Sequence, residues 1–545
     1  MENTKEVDEL KKFLFLAVGM LLLLGLILPG CSGEGEGEGE TPTIYVAVCG
    51  QQDDIQGENQ MNGAETAMNE INAMNGGDGI EIGGDYYQVE LVPVETNEST
   101  EGESGSTGTT NLEDVIDDVD FCVGGFRTEV VQVYREVAMT HQKIFMDCGA
   151  ATGSLQYSVN VDYDNYKYWF KATPYNESFL VKSCFKMLAG VGGYLGATLD
   201  GYGTAIDPLY DNPVGGKLRV EILMEDAEWC EAMVTFSELF LPAIGFNVTG
   251  TTLVSPTSSD ISSELSAIAG RYPHIIFTAF SGSVGAVYSS NKVDLGIPAM
   301  TIGINVPGQL HEHWLETGGD CQGEVMLDTW AEDVAITDTT VDWFDAYFNQ
   351  YGDYPLYTAG TYDAIKAVCQ AMHETGSKDT DGLIEWLEDP DNAITGVGGT
   401  TAYYQMPADT VCADCGVGGT PIFALNETQV KVYYPNIDDP WIRVGLGGPE
   451  VVLDGYHQSD WEAGFVDAGG GLVLQQPHMA HDTVYGPGYQ TGIGSQWQDG
   501  HKVGIWPIDF GVTSPTFKLT DQYGDWNFQY DGTVAPLIDV TGFLA

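Results

Sequence analysis

The sequence predicts an α/β protein of two doubly wound lobes joined by a hinge, with a C-terminal insertion. Two observations carry that reading. Short apolar strands alternate with amphipathic helices from about residue 44 to residue 374, the pattern of parallel sheets wrapped by helices. The alternation is broken by an irregular glycine-rich stretch at 190–216 and then starts again, which gives two Rossmann-like units. Strand ends run into polar loops, and ligands of such sheets bind beyond the carboxyl ends of the strands.

Residues 44–48 form the first strand, and residues 49–57 the polar loop behind it. The next helix starts near Gly57, puts Met61, Ala64, Met68 and Ile71 on one face, and stops at Asn75-Gly76-Gly77, where glycine adopts left-handed backbone. A strand at 87–94 closes a right-handed parallel crossover. Residues 97–110, rich in Ser, Thr, Gly and Glu, read as a surface loop. Strands at 119–123 and 144–146 flank a helix with Val130, Val133, Tyr134, Val137 and Ala138 on one face. In the second lobe, strands at 218–224, 247–254, 275–278 and 298–302 alternate with helices running to about 241 and over 261–269. Helices at 340–350 and 360–374 return to the first lobe. Gly190-Val191-Gly192 continues to Leu195 where a dinucleotide fingerprint needs glycine, so no nucleotide site is expected there.

Composition narrows the function. With 80 acidic and 20 basic residues the net charge is −60, and a nucleic-acid partner is excluded because phosphate repels such a surface. The acidity is spread along the chain, which fits a surface adapted to high salt better than a cleft built to attract cations. Lys11-Lys12, the apolar run 13–28 and Leu28-Pro29-Gly30-Cys31 have the order of an export signal, residues 1–30, with an uncleaved anchor as the alternative. Residues 31–41, mostly alternating Gly and Glu, cannot bury a core and read as a tether. Of ten cysteines, Cys49, Cys122 and Cys148 fall in or at predicted strands and suit buried thiols, with a disulfide as the alternative. Cys412-Ala413-Asp414-Cys415 has no second pair and is weak evidence for zinc. His478-Met479-Ala480-His481-Asp482 offers two histidines and a carboxylate, more in keeping with a structural loop than a metal site. Sequons at Asn97, Asn176, Asn247 and Asn426 suit an extracellular surface. No hydrolase or metalloprotease motif occurs, so no enzyme and no cofactor is expected.

The string Gln56-Gly57-Glu58-Asn59-Gln60-Met61-Asn62-Gly63-Ala64-Glu65, leading into Asn69-Glu70-Ile71-Asn72, resembles the opening of the type I periplasmic binding proteins, the branched-chain amino acid-binding family of ABC importers. Tyr168-Trp169-Phe170-Lys171-Ala172-Thr173-Pro174 resembles that family's crossing into its second lobe. Tyr357-Thr358-Ala359-Gly360-Thr361-Tyr362-Asp363-Ala364 and Gln496-Trp497-Gln498-Asp499-Gly500-His501-Lys502-Val503 resemble later segments. The resemblance implies lobe 1 at 42–173 and 328–395, lobe 2 at 174–327 and again within 396–545, and an insertion at about 436–495. Cys31 sits where exported lipoproteins of this kind carry their lipid.

The same resemblance implies a site. Thr128, Ala150 and Thr152 take the positions at which the family grips a ligand carboxylate, with helix capping as the alternative for both threonines. Trp229 and Phe280 or Ser281 fall at second-lobe contact positions, where an aromatic can also be plain core, and Gln56 at a first-lobe position. Arg127 suits either an anionic ligand or one of the many carboxylates. The family's amino acid binders place a glutamate for the ligand ammonium after the strand at 298–302; here the nearest polar residue is the uncharged Asn305, with Asp226, Glu228 or Asp54 as possible substitutes. The resemblance therefore implies a lipid-anchored extracellular protein that captures a small polar solute, an amino acid or a related amide or carboxylate, by hinge closure. Its partners would be an ABC permease and the ATPase that drives it. A sensor on the same fold, or a surface structural or adhesive protein, is the alternative.

Overall fold

The structure, a computed structural model, describes residues 41–99, 104–188 without 178, 182 and 186, 218–403 without 244, 479–506 without 485–488 and 491, and the strands of three C-terminal hairpins. The expected signal peptide, Cys31, the tether, residues 190–216 and the CxxC pair lie outside these residues.

Lobe 1 is built on a six-stranded sheet in the order β2-β3-β1-β4-β5-β6. β1 (Thr43–Gly50) leads through α1 (Ile55–Ala73) and the antiparallel hairpin of β2 (Ile80–Ile82) and β3 (Asp85–Glu95). β3 then pairs in parallel with β1 over eight residues, as the crossover reading required. The helix begins two residues before Gly57 because the Asp54 carboxylate accepts from the Ile55 amide. α2 (Ser106–Val115), β4 (Phe121–Gly124), α3 (Thr128–Thr140), β5 (Phe145–Asp147), α4 (Gly153–Val161) and β6 (Trp169–Lys171) follow. β1, β4, β5 and β6 are parallel, and nearly every residue on them is buried, because helices cover both faces.

Lobe 2 carries a seven-stranded sheet, β19-β18-β11-β10-β9-β7-β8. Its parallel part runs through β7 (Arg219–Glu225), α5 (Glu228–Ala243), β8 (Asn247–Val254), α6 (Ser262–Ala269), β9 (Ile275–Phe280), α7 (Val284–Asp294), β10 (Met300–Asn305), α8 (His311–Glu316) and β11 (Val325–Asp328). The chain then supplies α9 (Thr340–Tyr351), α10 (Thr361–Thr375) and α11 (Thr380–Glu388), whose apolar faces join the lobe 1 core. A minimal hairpin, β12 (Ile394–Thr395) with β13 (Thr400–Thr401), ends that passage. Hairpins β14 (Pro440–Gly445) with β15 (Gly448–Leu453), and β16 (Phe465–Asp467) with β17 (Leu472–Leu474), fall within the expected insertion. β18 (Ile493–Gln498), antiparallel to β11, and β19 (His501–Trp506), antiparallel to β18, close the lobe 2 sheet. The closing strand thus begins inside the range 436–495 assigned to the insertion. A last hairpin joins β20 (Thr516–Leu519) to β21 (Trp526–Gln529).

Several sequence expectations move. Residues 97–110 are not simply surface: Glu98 is fully enclosed and α2 starts at Ser106. The sequon Asn176 is buried with its amide on Asp482, so it is closed to glycosylation. β9 and β10 run two and three residues past their expected ends, which changes where Phe280 and Asn305 point. All seven described cysteines are buried free thiols. Among the described residues no helix is long and apolar enough to cross a membrane.

Candidate functional site

The lobe 1 wall is made where β4 and β5 give way to helices. A Cβ on Gly149 would lie 1.7 Å from the Gly125 carbonyl, so only glycine lets these two strand-end loops touch. Thr128 opens α3 and Thr152 stands at the N-cap of α4, yet the Thr152 side chain makes no capping bond. The two hydroxyls instead bond each other at 2.6 Å, both nearly enclosed. Two hydroxyls thus meet where two helix amino termini converge, an arrangement suited to an anion.

Buried charge holds this wall in shape. Asp147, the last residue of β5, accepts the Gly149 and Ala150 amides on Oδ1 and the Lys171 ammonium at 2.6 Å on Oδ2, and neither ion-paired side chain is exposed. Glu98 accepts from the Arg127 amide, Tyr134 Oη and Thr96 Oγ1. Burial pushes its carboxyl up to about 7 against those hydrogen bonds. Arg127 itself lines the cleft with its Nε buried and without a hydrogen-bond partner, and it makes no ion pair among the described residues.

On lobe 2 the organising group is Glu225 at the end of β7. Its carboxylate accepts Trp229 Nε1 at 2.7 Å, the Ser281 amide at 2.8 Å, the Gly282 amide at 3.1 Å and the Ser281 hydroxyl. One buried carboxylate therefore sets both the indole of Trp229 and the loop after β9.

Between the walls lies a cleft, partly open to solvent, whose space with that open solvent included is about 730 Å³. Arg127, Thr128, Trp229 and Ser281 line it together, with Thr152 directly behind Thr128. The lobes already touch across it: the Gln56 side-chain amide donates to the Ser281 carbonyl at 3.1 Å, and the Glu228 amide donates to Glu129 at 3.2 Å. Beyond the Gln56 bridge a second chamber of about 870 Å³ shares Phe126, Arg127 and Ser281 with the first, and Gln56 lines this one.

Besides Gln56 and Thr152, three further expected contacts are not on the cleft wall. Phe280 is the last residue of β9, and period-two alternation turns it with Ile276 into the core, its ring 5.3 Å from Tyr288. Asn305 ends β10 on the face opposite Ile304; its Oδ1 accepts the Gly308 amide. Ala150 is buried and its amide is held by Asp147. Sequence reasoning passed over Glu98, Glu225, Glu129 and the cleft aromatic Tyr175. A charged residue closing an apolar strand, as Glu225 closes β7, is the available signal.

The loop carrying His481 is structural. Its ring stacks on Phe170 at 3.9 Å and bonds Glu388 at 2.6 Å, while Asp482 bonds Asn176. No cluster of metal-ligating side chains occurs among the described residues, and His478 lies outside them.

Comparison with known proteins agrees with this architecture. Residues 48–411 match the family model described as periplasmic binding protein. None of the curated proteins matches the sequence. Among solved structures, a putative branched-chain amino acid ABC transporter protein from Silicibacter pomeroyi is 16% identical with a TM-score of 0.53, over 88% of this chain and all of that one. The substrate-binding protein LivJ of the branched-chain amino acid transporter from Streptococcus pneumoniae, solved with isoleucine, is 16% identical with a TM-score of 0.52, over 66% of this chain and 92% of its own. A solute-binding protein of an ABC transporter from Rhodopseudomonas palustris, solved with 3,4-dihydroxybenzoic acid, is 16% identical with a TM-score of 0.51, over 66% and 88%. At such identities the likeness to these structures is one of fold, whereas the family model spans well over half of the sequence, and the chain belongs to the periplasmic binding protein family.

Proposed function

We propose that this protein captures a small solute bearing a carboxylate, an amino acid or a related acid, by closing its lobes, and delivers it to an ABC permease and ATPase from the outer face of the membrane. The observation that carries the reading is Arg127, which lines the cleft without an ion-pair partner among the described residues, beside the paired hydroxyls of Thr128 and Thr152 at two helix amino termini. A guanidinium and two hydroxyls bind a carboxylate through charge-assisted hydrogen bonds. Trp229, fixed by Glu225, supplies an aromatic face for the rest of the solute. The solved neighbours hold isoleucine and 3,4-dihydroxybenzoic acid, both small carboxylic acids, which supports the same ligand class. Anchoring through a lipid on Cys31 follows from the sequence order of the first 31 residues.

The test is thermal unfolding of the chain from residue 42 onward in high salt, against amino acids, amides, urea and small carboxylates. A ligand at a hundredfold excess over its Kd adds about 2.7 kcal/mol of stability, a clear rise in Tm. Thr152→Ala and Arg127→Ala should remove the rise while leaving the unliganded Tm within a few degrees. A folded protein that responds to none of these solutes would refute the proposal.

A further inference from the structure

The sheets of the two lobes end in the edge strands β2, β6, β19 and β8. Three of these edges are short or covered. β2 is three residues long and carries Glu81. On β6 the Lys171 amide donates to the His481 carbonyl at 2.9 Å. On β19 Val503 bridges to Glu332. β8 is the exception. It runs for eight residues, Asn247–Val254, and among the described residues it pairs with β7 alone. It holds no charged residue and no proline, and Leu253 on it is 49% exposed. One bulge opposite Val220 and Glu221 is its only irregularity. A long uncharged edge is a template for pairing with another chain, and this one stands in a chain that has 80 acidic residues to place.

The first residue of that strand opens the sequon Asn247-Val248-Thr249. Asn247 is half-buried, its backbone amide donates to the Leu218 carbonyl at 2.8 Å, and its side-chain amide makes no hydrogen bond among the described residues. The other sequons fare differently. Asn176 is buried on Asp482, Asn97 directly precedes the enclosed Glu98 and the chamber-lining Ser99, and Asn426 lies outside the described residues. We propose that Asn247 is a site of N-linked glycosylation, and that the sugar it carries covers the open edge of β8. The donor is a sugar held on a lipid phosphate. Asn247 Nδ2 bonds to the anomeric carbon, the bond from that carbon to the phosphate oxygen breaks, the lipid phosphate leaves with the electron pair, and one amide proton passes to solvent. In the folded chain the Thr249 hydroxyl donates to Glu221 at 2.6 Å, so the transfer takes place on the exported chain before β8 joins its sheet. A bulky, hydrated glycan then does what charge or proline does on other edges. The inference rests on the export part of the proposed function and not on the ligand.

The experiment is mass spectrometry of the full chain isolated from the membranes of the organism that makes it. Cleavage after glutamate releases the peptide Leu239–Glu264, which contains no other asparagine. That peptide should carry sugar masses localised to Asn247, and the peptide ending at Glu177 should carry none on Asn176. Asn247→Gln, made in the same organism, should lose the sugar and keep the Tm of the parent within a few degrees. Without its cover it should self-associate in light scattering as concentration rises, while the parent stays a monomer. A second variant that adds Leu253→Lys to Asn247→Gln should be monomeric again, because a charge restores protection to the edge. An unmodified Asn247 on a protein that protease cuts at the surface of intact cells overturns the inference and leaves export standing. A protein that surface protease cannot reach overturns both. Sugar on Asn176 overturns the selection of Asn247 by burial, and a monomeric Asn247→Gln overturns the covering role.

Discussion

Gly63 explains why two distant motifs occur together. It lies on the buried face of α1, in the Asn62-Gly63-Ala64-Glu65 string, where that helix crosses the turn at Tyr357–Gly360. A Cβ there would stand 2.3 Å from the Ala359 carbonyl oxygen, 2.5 Å from Thr361 Oγ1 and 2.9 Å from the Ala359 carbonyl carbon. The first and last of these are backbone atoms and cannot swing aside. The approach is locked from both sides, since Thr358 and Thr361 donate to the carbonyls of Gln56 and Gln60, and Asn59 accepts from Tyr347 and Leu356. Gly63→Ala must therefore push α1 away from the turn. Overpacking of this kind costs about 1–3 kcal/mol or more, against about 1 kcal/mol gained from helix propensity. We expect a net loss of up to about 2 kcal/mol in urea unfolding at high salt, from the difference of those two effects. Because Tyr357 lines the cleft, ligand affinity should fall as well. Stabilisation by about 1 kcal/mol, the result for an unconstrained helix, would falsify the contact.

Three further predictions concern charge. Glu98 has its carboxyl raised by burial from 4.5 to about 7, so between those values the folded chain holds a proton that the unfolded chain has released. Its contribution is therefore present in full below pH 4.5 and lost as pH rises to 7, on the order of 3 kcal/mol; Glu98→Gln should gain stability relative to the parent between pH 5 and pH 8, and parallel pH curves would count against the burial argument. Lys171→Met strips the partner from Asp147 where neither side chain is exposed, and should cost about 3–5 kcal/mol in denaturant unfolding, with a loss under 1 kcal/mol contradicting a buried pair. A net charge of −60 makes Tm rise with sodium chloride as the screening length shrinks from about 10 Å at 0.1 M to about 3 Å at 1 M, so a flat Tm over that range would argue against salt adaptation.

The strands of both lobes were legible because fully buried parallel strands read as apolar runs. Their ends were not. β9 continues through Thr278-Ala279-Phe280 and β10 through Gly303-Ile304-Asn305, where a threonine, a glycine and an asparagine interrupt the apolar run. Cutting each strand short moved Phe280 and Asn305 into loops and onto the wrong face. Thr128, Arg127 and Trp229 line the cleft as expected because β4 and β7 were cut within a residue of their true ends, and Ser281 does so because it lies just past the true end of β9. Glu98 and Glu225 escaped notice for another reason. Among 80 acidic residues a buried carboxylate carries no signal in composition; only the donors around it reveal its role.

The basic residues carry the opposite lesson, because there are only 20 of them. Many sit inside. Lys171 and Lys502 are fully enclosed and each neutralises a buried aspartate at the end of a central strand. Arg135 is enclosed against the rings of Tyr166 and Trp169, and Arg271 pairs with the buried Glu221. A chain that leaves its surface so anionic uses its cations where a carboxylate would otherwise be buried alone, since an unpaired interior charge costs several kcal/mol. By that logic a cation whose Nε is buried and unbonded at a cleft stands opposite an anion that arrives from outside. Arg127 is in that position, and this is why the proposed function sets the solute's carboxylate against it.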